Sequence, residues 1–288
     1  MMNAENLSRK SRLLQFDSVV LAQNMRSGNF RSLRTGQGIE FSDVREYLPG
    51  DNVRSIDWNV SARMGRAFVK QYEEDRELNV FFVLDCSLSM SAKIPAMSEA
   101  AMLLLFAAKR NSASIGAVFF DGEIKYSFSP KASGETAGAI LSKILSLEDG
   151  ENSCVKGSVL DSALKGAANL LKKRSLVFVI SDFRTAKWKK ELAFLSHKND
   201  VVAIRIVDDC DSELPDLGFL NFIDSESEKI EKIPTFAKSF RRFWFEKNRA
   251  GTDDWKNFCL KHGAFPLSIN TKDDILLVLS RFFEQRKR

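Results

Sequence analysis

The chain has 288 residues, 44% hydrophobic and 28% charged, with 43 basic against 38 acidic side chains and a formal net charge of +5. This ordinary globular composition excludes a disordered, collagen-like or disulfide-stapled chain and leaves length for one large or two modest domains. Four scattered cysteines without a CxxC spacing and two histidines exclude the usual zinc patterns and a His-based triad.

The N-terminal "MMNAENLSRKSRLLQF" has no continuous apolar stretch ahead of a small-residue cleavage site. The longest apolar run, Ala100–Ala108, falls well short of the roughly 20 residues that span a bilayer. A cytoplasmic, soluble protein with reduced thiols and no membrane span is therefore expected. Leu13, Phe16, Val20 and Met25 are spaced for one face of a short helix over 12–25. Beyond it the chain is dense in charge, glycine and turn signals, with Pro49-Gly50-Asp51 reading as a turn. So few periodic apolar positions predict an arm over residues 1–77 that packs on a domain over residues 78–288.

From residue 78 strand-like and helix-like segments alternate. "LNVFFVLD" (78–85) reads as a buried strand and "MSEAAMLLLFAAKR" (97–110) as a helix. "ASIGAVFF" (113–120) and "EIKYSFSP" (123–130) form a hairpin across Asp121-Gly122. Helices follow near 134–147 and over 159–173, then the apolar strand "SLVFVISD" (175–182). A helix at 187–197, a strand at 200–208 and a strand near 218–225 come next, with helices at about 234–247, 252–262 and 273–285 closing the chain. Apolar strands between amphipathic helices predict an α/β fold with a doubly wound, mostly parallel sheet. The single hairpin puts one antiparallel strand at an edge, and ligands are expected beyond the carboxyl ends of the strands.

Two such ends carry acids. "VLDCSLSM" ends a strand in Asp85 and continues with Ser87 and Ser89, while "VFVISDF" ends in Asp182 and "KGSVLDSAL" places Ser158 at the mouth of a helix. Serine and aspartate in such a place read equally as helix caps. If the three loops meet at one rim, however, two carboxylates and three hydroxyls converge there, a donor set suited to Mg2+ or Mn2+. Together these strings resemble the von Willebrand factor A domain and its metal-ion-dependent adhesion site. The upstream "GQGIEFSDVREYLPGDNVRSIDWNVSARMGRAFVKQYEEDRELNVFFVLDCSLSM" resembles the bacterial domain of unknown function 58 family, in which such an arm precedes an A domain.

That resemblance implies ligation by Ser87 and Ser89, with Asp85 acting mostly through water. A second-loop ligand falls on Ser158, where the family pattern has threonine, and a third-loop acid on Asp182. It further implies a protein-binding adaptor, accessory to a MoxR-type AAA+ ATPase, that takes up an acidic side chain of the ATPase or its client in the ion's coordination sphere. No enzyme is expected. An aspartyl phosphotransferase or metal-dependent hydrolase using Asp85 is the enzyme rival, but it wants a second acid where Ser87 stands. A degenerate A domain that binds partners without metal is the other alternative.

Two further motifs read as structure. Asp51, Arg54, Asp57, Trp58 and Arg63 read as ion pairs and an aromatic anchor for the arm. In "FAKSFRRFWFEKNR", Phe236, Phe240 and Phe243 follow the spacing of a core stripe with basic residues on the solvated face, so no nucleic-acid partner is expected.

Overall fold

The structure, a computed structural model, describes residues 21–23, 25, 40–73, 78–148, 158–185, 187–212, 218–223 and 230–286. The chain divides into two units, residues 33–77 and residues 1–32 with 78–288. In the smaller unit β1 (Glu40–Glu46) pairs antiparallel with β2 (Phe68–Glu73). The Pro49-Gly50 turn needs Gly50 at φ 107°, a backbone that residues with a Cβ avoid. Arg45 clamps Asp51 with two hydrogen bonds of 2.7 and 2.6 Å. That fork, with the Leu48 N–H, holds the Asp51 carboxyl down at about 2. Asp57 caps the helix α1 (Trp58–Met64) by accepting from the Asn59 and Val60 N–H groups, and the Trp58 side chain is 69% exposed.

The larger unit runs β3 (Asn79–Asp85), α2 (Ile94–Arg110), β4 (Ser114–Phe120), β5 (Ile124–Lys131), α3 (Gly134–Glu148), α4 (Leu160–Leu170), β6 (Leu176–Ser181), α5 (Lys189–Lys198), β7 (Asp200–Val207), α6 (Asp209–Ser212), β8 (Phe219–Ile223), β9 (Ile230–Pro234), α7 (Lys238–Lys261), β10 (Phe265–Asn270) and α8 (Ile275–Glu284). Six strands form one sheet in the order β10-β7-β6-β3-β4-β5, parallel throughout except for β5 at its edge. This is the doubly wound α/β sheet expected from the alternation of segments.

Successive side chains of a strand face opposite sides, so each apolar strand feeds two layers. Phe81, Val83, Val177, Val179, Val201 and Ala203 pack with Leu160 and Leu164 of α4, Leu192 and Leu195 of α5, and Trp255 and Cys259 of α7. On the opposite face Phe82 stacks on Phe178 at 5.6 Å between centroids, and Phe178 meets Phe283 of α8 at 6.4 Å. There α2 packs against α3 and α8. Residues 88–110 are long and apolar enough to cross a membrane by length and composition, but 78% of an 18-residue apolar stretch within them is buried inside the protein. Each fully buried Phe, Leu or Val contributes roughly 1.5–3 kcal/mol, which makes these two layers the main support of the rim above them.

Several elements differ from the sequence reading. The helix after β3 starts early, with a 3-10 turn over Leu88–Lys93 leading into α2. β10 is absent from that reading; it carries Pro266, which a strand at the sheet edge tolerates. α7 runs through Gly251 as one helix of 24 residues where two are expected. The segment near 218–225 joins an antiparallel β8–β9 ribbon outside the main sheet. The aromatic stripe of α7 is not core: Phe236 is 50% and Phe243 59% exposed, and Phe240 packs on Phe243 and Trp244 within the helix. Of the short helix read over 12–25, residues 21–23 and 25 are helical; Leu21 and Met25 are buried, and the Ala22 carbonyl accepts from Asn111 Nδ2 at 3.0 Å. The rest of that helix lies outside the described residues.

Candidate functional site

From β3 the chain passes to β4 on one side, while β6 flanks β3 on the other, so the strand order reverses between β3 and β6. In sheets of this kind ligands bind beyond the carboxyl ends of the strands at such a reversal. Asp85 closes β3 and Asp182 follows β6 directly, which brings both acids to that end of the sheet.

Three loops are tied together there through the end of β4. The Phe120 carbonyl accepts from Cys86 N–H at 2.7 Å, holding the Asp85 loop. The next carbonyl, of Asp121, accepts from Val159 N–H at 2.9 Å and holds the Ser158 loop. The loop after β6 reaches the second through Thr185 Oγ1, which is 3.5 Å from the Ser158 carbonyl. It leaves the strand through Phe183 at φ 53°, a conformation disfavoured for a residue with a Cβ. Phe183 packs edge-on against Trp188 at 5.4 Å and lies 5.6 Å from Trp255, so aromatic burial offsets the backbone strain.

Asp85 is 1% exposed. Its Oδ1 accepts from Ser87 N–H at 3.0 Å and its Oδ2 from Ser181 Oγ at 2.6 Å. Burial pushes the carboxyl up to about 6, opposed by the Ser181 and Ser87 hydroxyls and assisted by the charge of Asp182. Ser87 makes no side-chain cap for the turn it opens; its Oγ lies 3.2 Å from Ser89 Oγ. Ser158 does not cap α4 either, since the residue in the cap position is Val159. Its Oγ is buried without a hydrogen-bond partner. Asp182 accepts from Arg184 N–H at 3.1 Å through Oδ1, while its buried Oδ2 has no hydrogen bond and lies 3.7 Å from Lys93 Nζ.

All five residues singled out in the sequence thus lie on three loops bound to one rim. Four others share it. Ser181 holds Asp85 and accepts from Phe183 N–H at 3.0 Å. Lys93, 2% exposed, pairs with Asp211 at 2.8 Å, and Arg184 pairs with the other oxygen of Asp211. Ser181 is visible in the sequence as a polar residue closing an apolar strand; nothing local marks Lys93, Arg184 or Asp211 as partners.

The donor set fits a hard divalent ion. Ser158 Oγ and Asp182 Oδ2 are buried oxygens without hydrogen bonds, and buried oxygens of this kind ordinarily find a partner. Among the described residues no three His, Cys, Asp or Glu side chains gather as a metal cluster, so the oxygens on offer are hydroxyls as much as carboxylates. Such oxygens suit Mg2+ or Mn2+ better than zinc. Lys93 is a built-in competitor, since its ammonium already offsets part of the Asp182 charge.

Comparison with known proteins adds a family. The sequence profile described as "Protein of unknown function DUF58" matches residues 43–253. The uncharacterized protein Rv1480 of Mycobacterium tuberculosis is 28% identical over 271 residues, covering 91% of this chain and 84% of that protein. YeaD of Bacillus subtilis is 39% identical over 44 residues, 15% of this chain and 11% of that protein. Among solved structures, the conserved hypothetical protein BatB from Bacteroides thetaiotaomicron aligns with a TM-score of 0.47 at 11% identity, over 73% of this chain and 98% of that chain. An aerotolerance-related membrane protein from Bacteroides fragilis aligns with a TM-score of 0.44 at 14% identity, over 73% and 98%.

Proposed function

The chain belongs to the DUF58 family, and on that premise we propose that it is a protein-binding module working through a divalent cation, Mg2+ or Mn2+, at the rim above β3 and β6. The observation that carries this reading is the pair of buried oxygens without hydrogen bonds, Ser158 Oγ and Asp182 Oδ2, on two loops of one rim. The hydroxyls of Ser87, Ser89 and Ser158 would hold the ion, and Asp85 and Asp182 would act from behind them. Bound there, the ion supplies a Lewis-acid position for an acidic side chain of the partner.

The protein's own groups prepare that position. Ser181 and the Ser87 N–H fix both oxygens of Asp85, so its carboxylate cannot swing to solvent. Burial of the rim strengthens a contact between an ion and a carboxylate relative to water. The partner proposed is a MoxR-type AAA+ ATPase or its client, a choice that rests on the family resemblance of the arm and the strand ends.

The test uses the tagged full chain, with a purified MoxR-type ATPase passed over it in Mg2+ or in chelator. Asp85→Ala is run in parallel, with its fold checked by circular dichroism. Retention only with Mg2+ and intact Asp85 is expected. Equal retention under all three conditions would remove the ion from the reading. No retention in any would remove the partner, and calorimetric titration of Mg2+ into the chain then judges the ion site separately.

A further inference from the structure

β7 carries a charge where its neighbours in the pattern are apolar. Val201 and Ala203 face the layer made with α4, α5 and α7, and by the period of two Arg205 points to the same side. The guanidinium lies 5.8 Å over the Trp255 ring of α7, and the residue is only 6% exposed. Among the described residues the Arg205 side chain makes no hydrogen bond or ion pair, and its Nε–H is buried without a hydrogen-bond partner. Trp255 beneath it also keeps its Nε1–H buried and unpartnered.

The nearest acids do not answer this need. Asp211 gives one oxygen to Arg184 and the other to Lys93, and Asp182 Oδ2 faces Lys93. A cation held out of water without a counter-charge is costly unless a ligand supplies one. Burial accordingly lowers the pKa of Arg205 below its ordinary value, with the Asp211 charge opposing that and Arg184 reinforcing it.

Arg205 also lines a cleft of about 300 Å³ whose wall is α7, through Asn248, Arg249, Thr252 and Lys256. Arg249, Thr252 and Lys256 follow the three- and four-residue spacing that puts them on one helix face. A buried guanidinium and two exposed cations, Arg249 and Lys256, face this cleft; of its two lining acids Asp211 is already paired with Lys93 and Arg184, and Asp253 is the other. We infer that this cleft is a binding site for a small molecule carrying a phosphate or carboxylate group, gripped by Arg205 and admitted past Arg249 and Lys256. The volume lies at the low end for ligand pockets, which suits a small oxyanion compound rather than a peptide. Arg205 pairs in register with Ser181, the residue that holds Asp85, so the cleft shares the rim of the proposed ion site without depending on it.

The probes are inorganic phosphate and citrate, titrated calorimetrically into the full chain against sodium chloride of matched ionic strength. Saturable binding of at least one probe is expected, and which probe binds more tightly separates a phosphate site from a carboxylate site. Arg205→Gln should weaken it by about tenfold or more, because a charge-assisted hydrogen bond is lost. Arg249→Ala, at the exposed lip, should weaken it about threefold or more, and it decides the matter if Arg205→Gln does not fold. No heat beyond the salt control for either probe, or undiminished binding in a folded Arg205→Gln or in Arg249→Ala, overturns the site.

Discussion

Asp85 has two hydrogen bonds but no ion-pair partner among the described residues, and at 1% exposure its charge is held almost wholly out of water. Its carboxyl is pushed up to about 6, well above the ordinary carboxylate range. The folded state therefore binds this proton more tightly than the unfolded chain does. Its contribution is most favourable below the ordinary pKa and is lost as pH rises through about 6. In chelator, the stability of the wild type relative to Asp85→Asn should fall between about pH 4 and pH 7. The fall should be about 3 kcal/mol at most, since a tenfold difference in proton affinity is worth about 1.4 kcal/mol. Urea unfolding of both proteins at the two pH values checks this. A difference that stays flat would mean that Asp85 ionises in the folded protein as readily as in water, and one that grows with pH that it ionises more readily. Added Mg2+ should stabilise the wild type at pH 7 and leave Asp85→Asn nearly unchanged.

At the scale of elements, strand β4 shows how closely the sheet is packed under the rim. A Cβ added at Gly116 would sit 2.8 Å from the Phe128 carbonyl of β5 and 2.8 Å from the Phe81 ring of β3. Neither neighbour is a flexible chain end, so one of the strands must shift. Gly116→Ala should cost about 1–3 kcal/mol, as overpacked cores do. Because β4 ends in Phe120 and leads directly into Asp121, whose carbonyls anchor two rim loops, the same variant should weaken Mg2+ binding at the rim. Denaturant midpoints and a Mg2+ titration measured on one preparation test both effects. Unchanged stability would show that β5 yields freely at this edge.

For the whole molecule, burial sets a hierarchy of stability. β3, β4, β6 and β7 are buried along nearly their whole lengths and covered by helices on both faces. β1–β2 and β8–β9 are two-stranded ribbons, a form that is marginal by itself. Amide hydrogen exchange should therefore be slowest in the four central strands and faster in both ribbons. Equal protection of β1–β2 and β3 would contradict this order and would show that the ribbon is stabilised beyond its own ladder.

Much of the architecture could be read without coordinates. The apolar runs at 78–85, 113–120, 175–182 and 200–208 each became a strand of the main sheet, because a strand covered on both faces is apolar at nearly every position. Asp85, Ser87 and Ser89 announced themselves because their spacing is local. Chain-local rules failed where the environment overrode them: Pro266 is tolerated at an edge and Gly251 inside a long helix, while Phe243 and Phe245 of α7 face outward. The rim's charge partners were beyond any local pattern. Ser181 meets Asp85 across 96 positions and Arg184 meets Asp211 across 27. By itself the sequence determined the layers, the strand ends and the oxygens offered there, since periodicity and turn chemistry act over a few residues. Only the tertiary structure decided that Lys93 and Arg184 occupy Asp211, leaving Arg205 Nε, Ser158 Oγ and Asp182 Oδ2 without hydrogen bonds, because pairing depends on which side chains the folded sheet brings within a few ångströms.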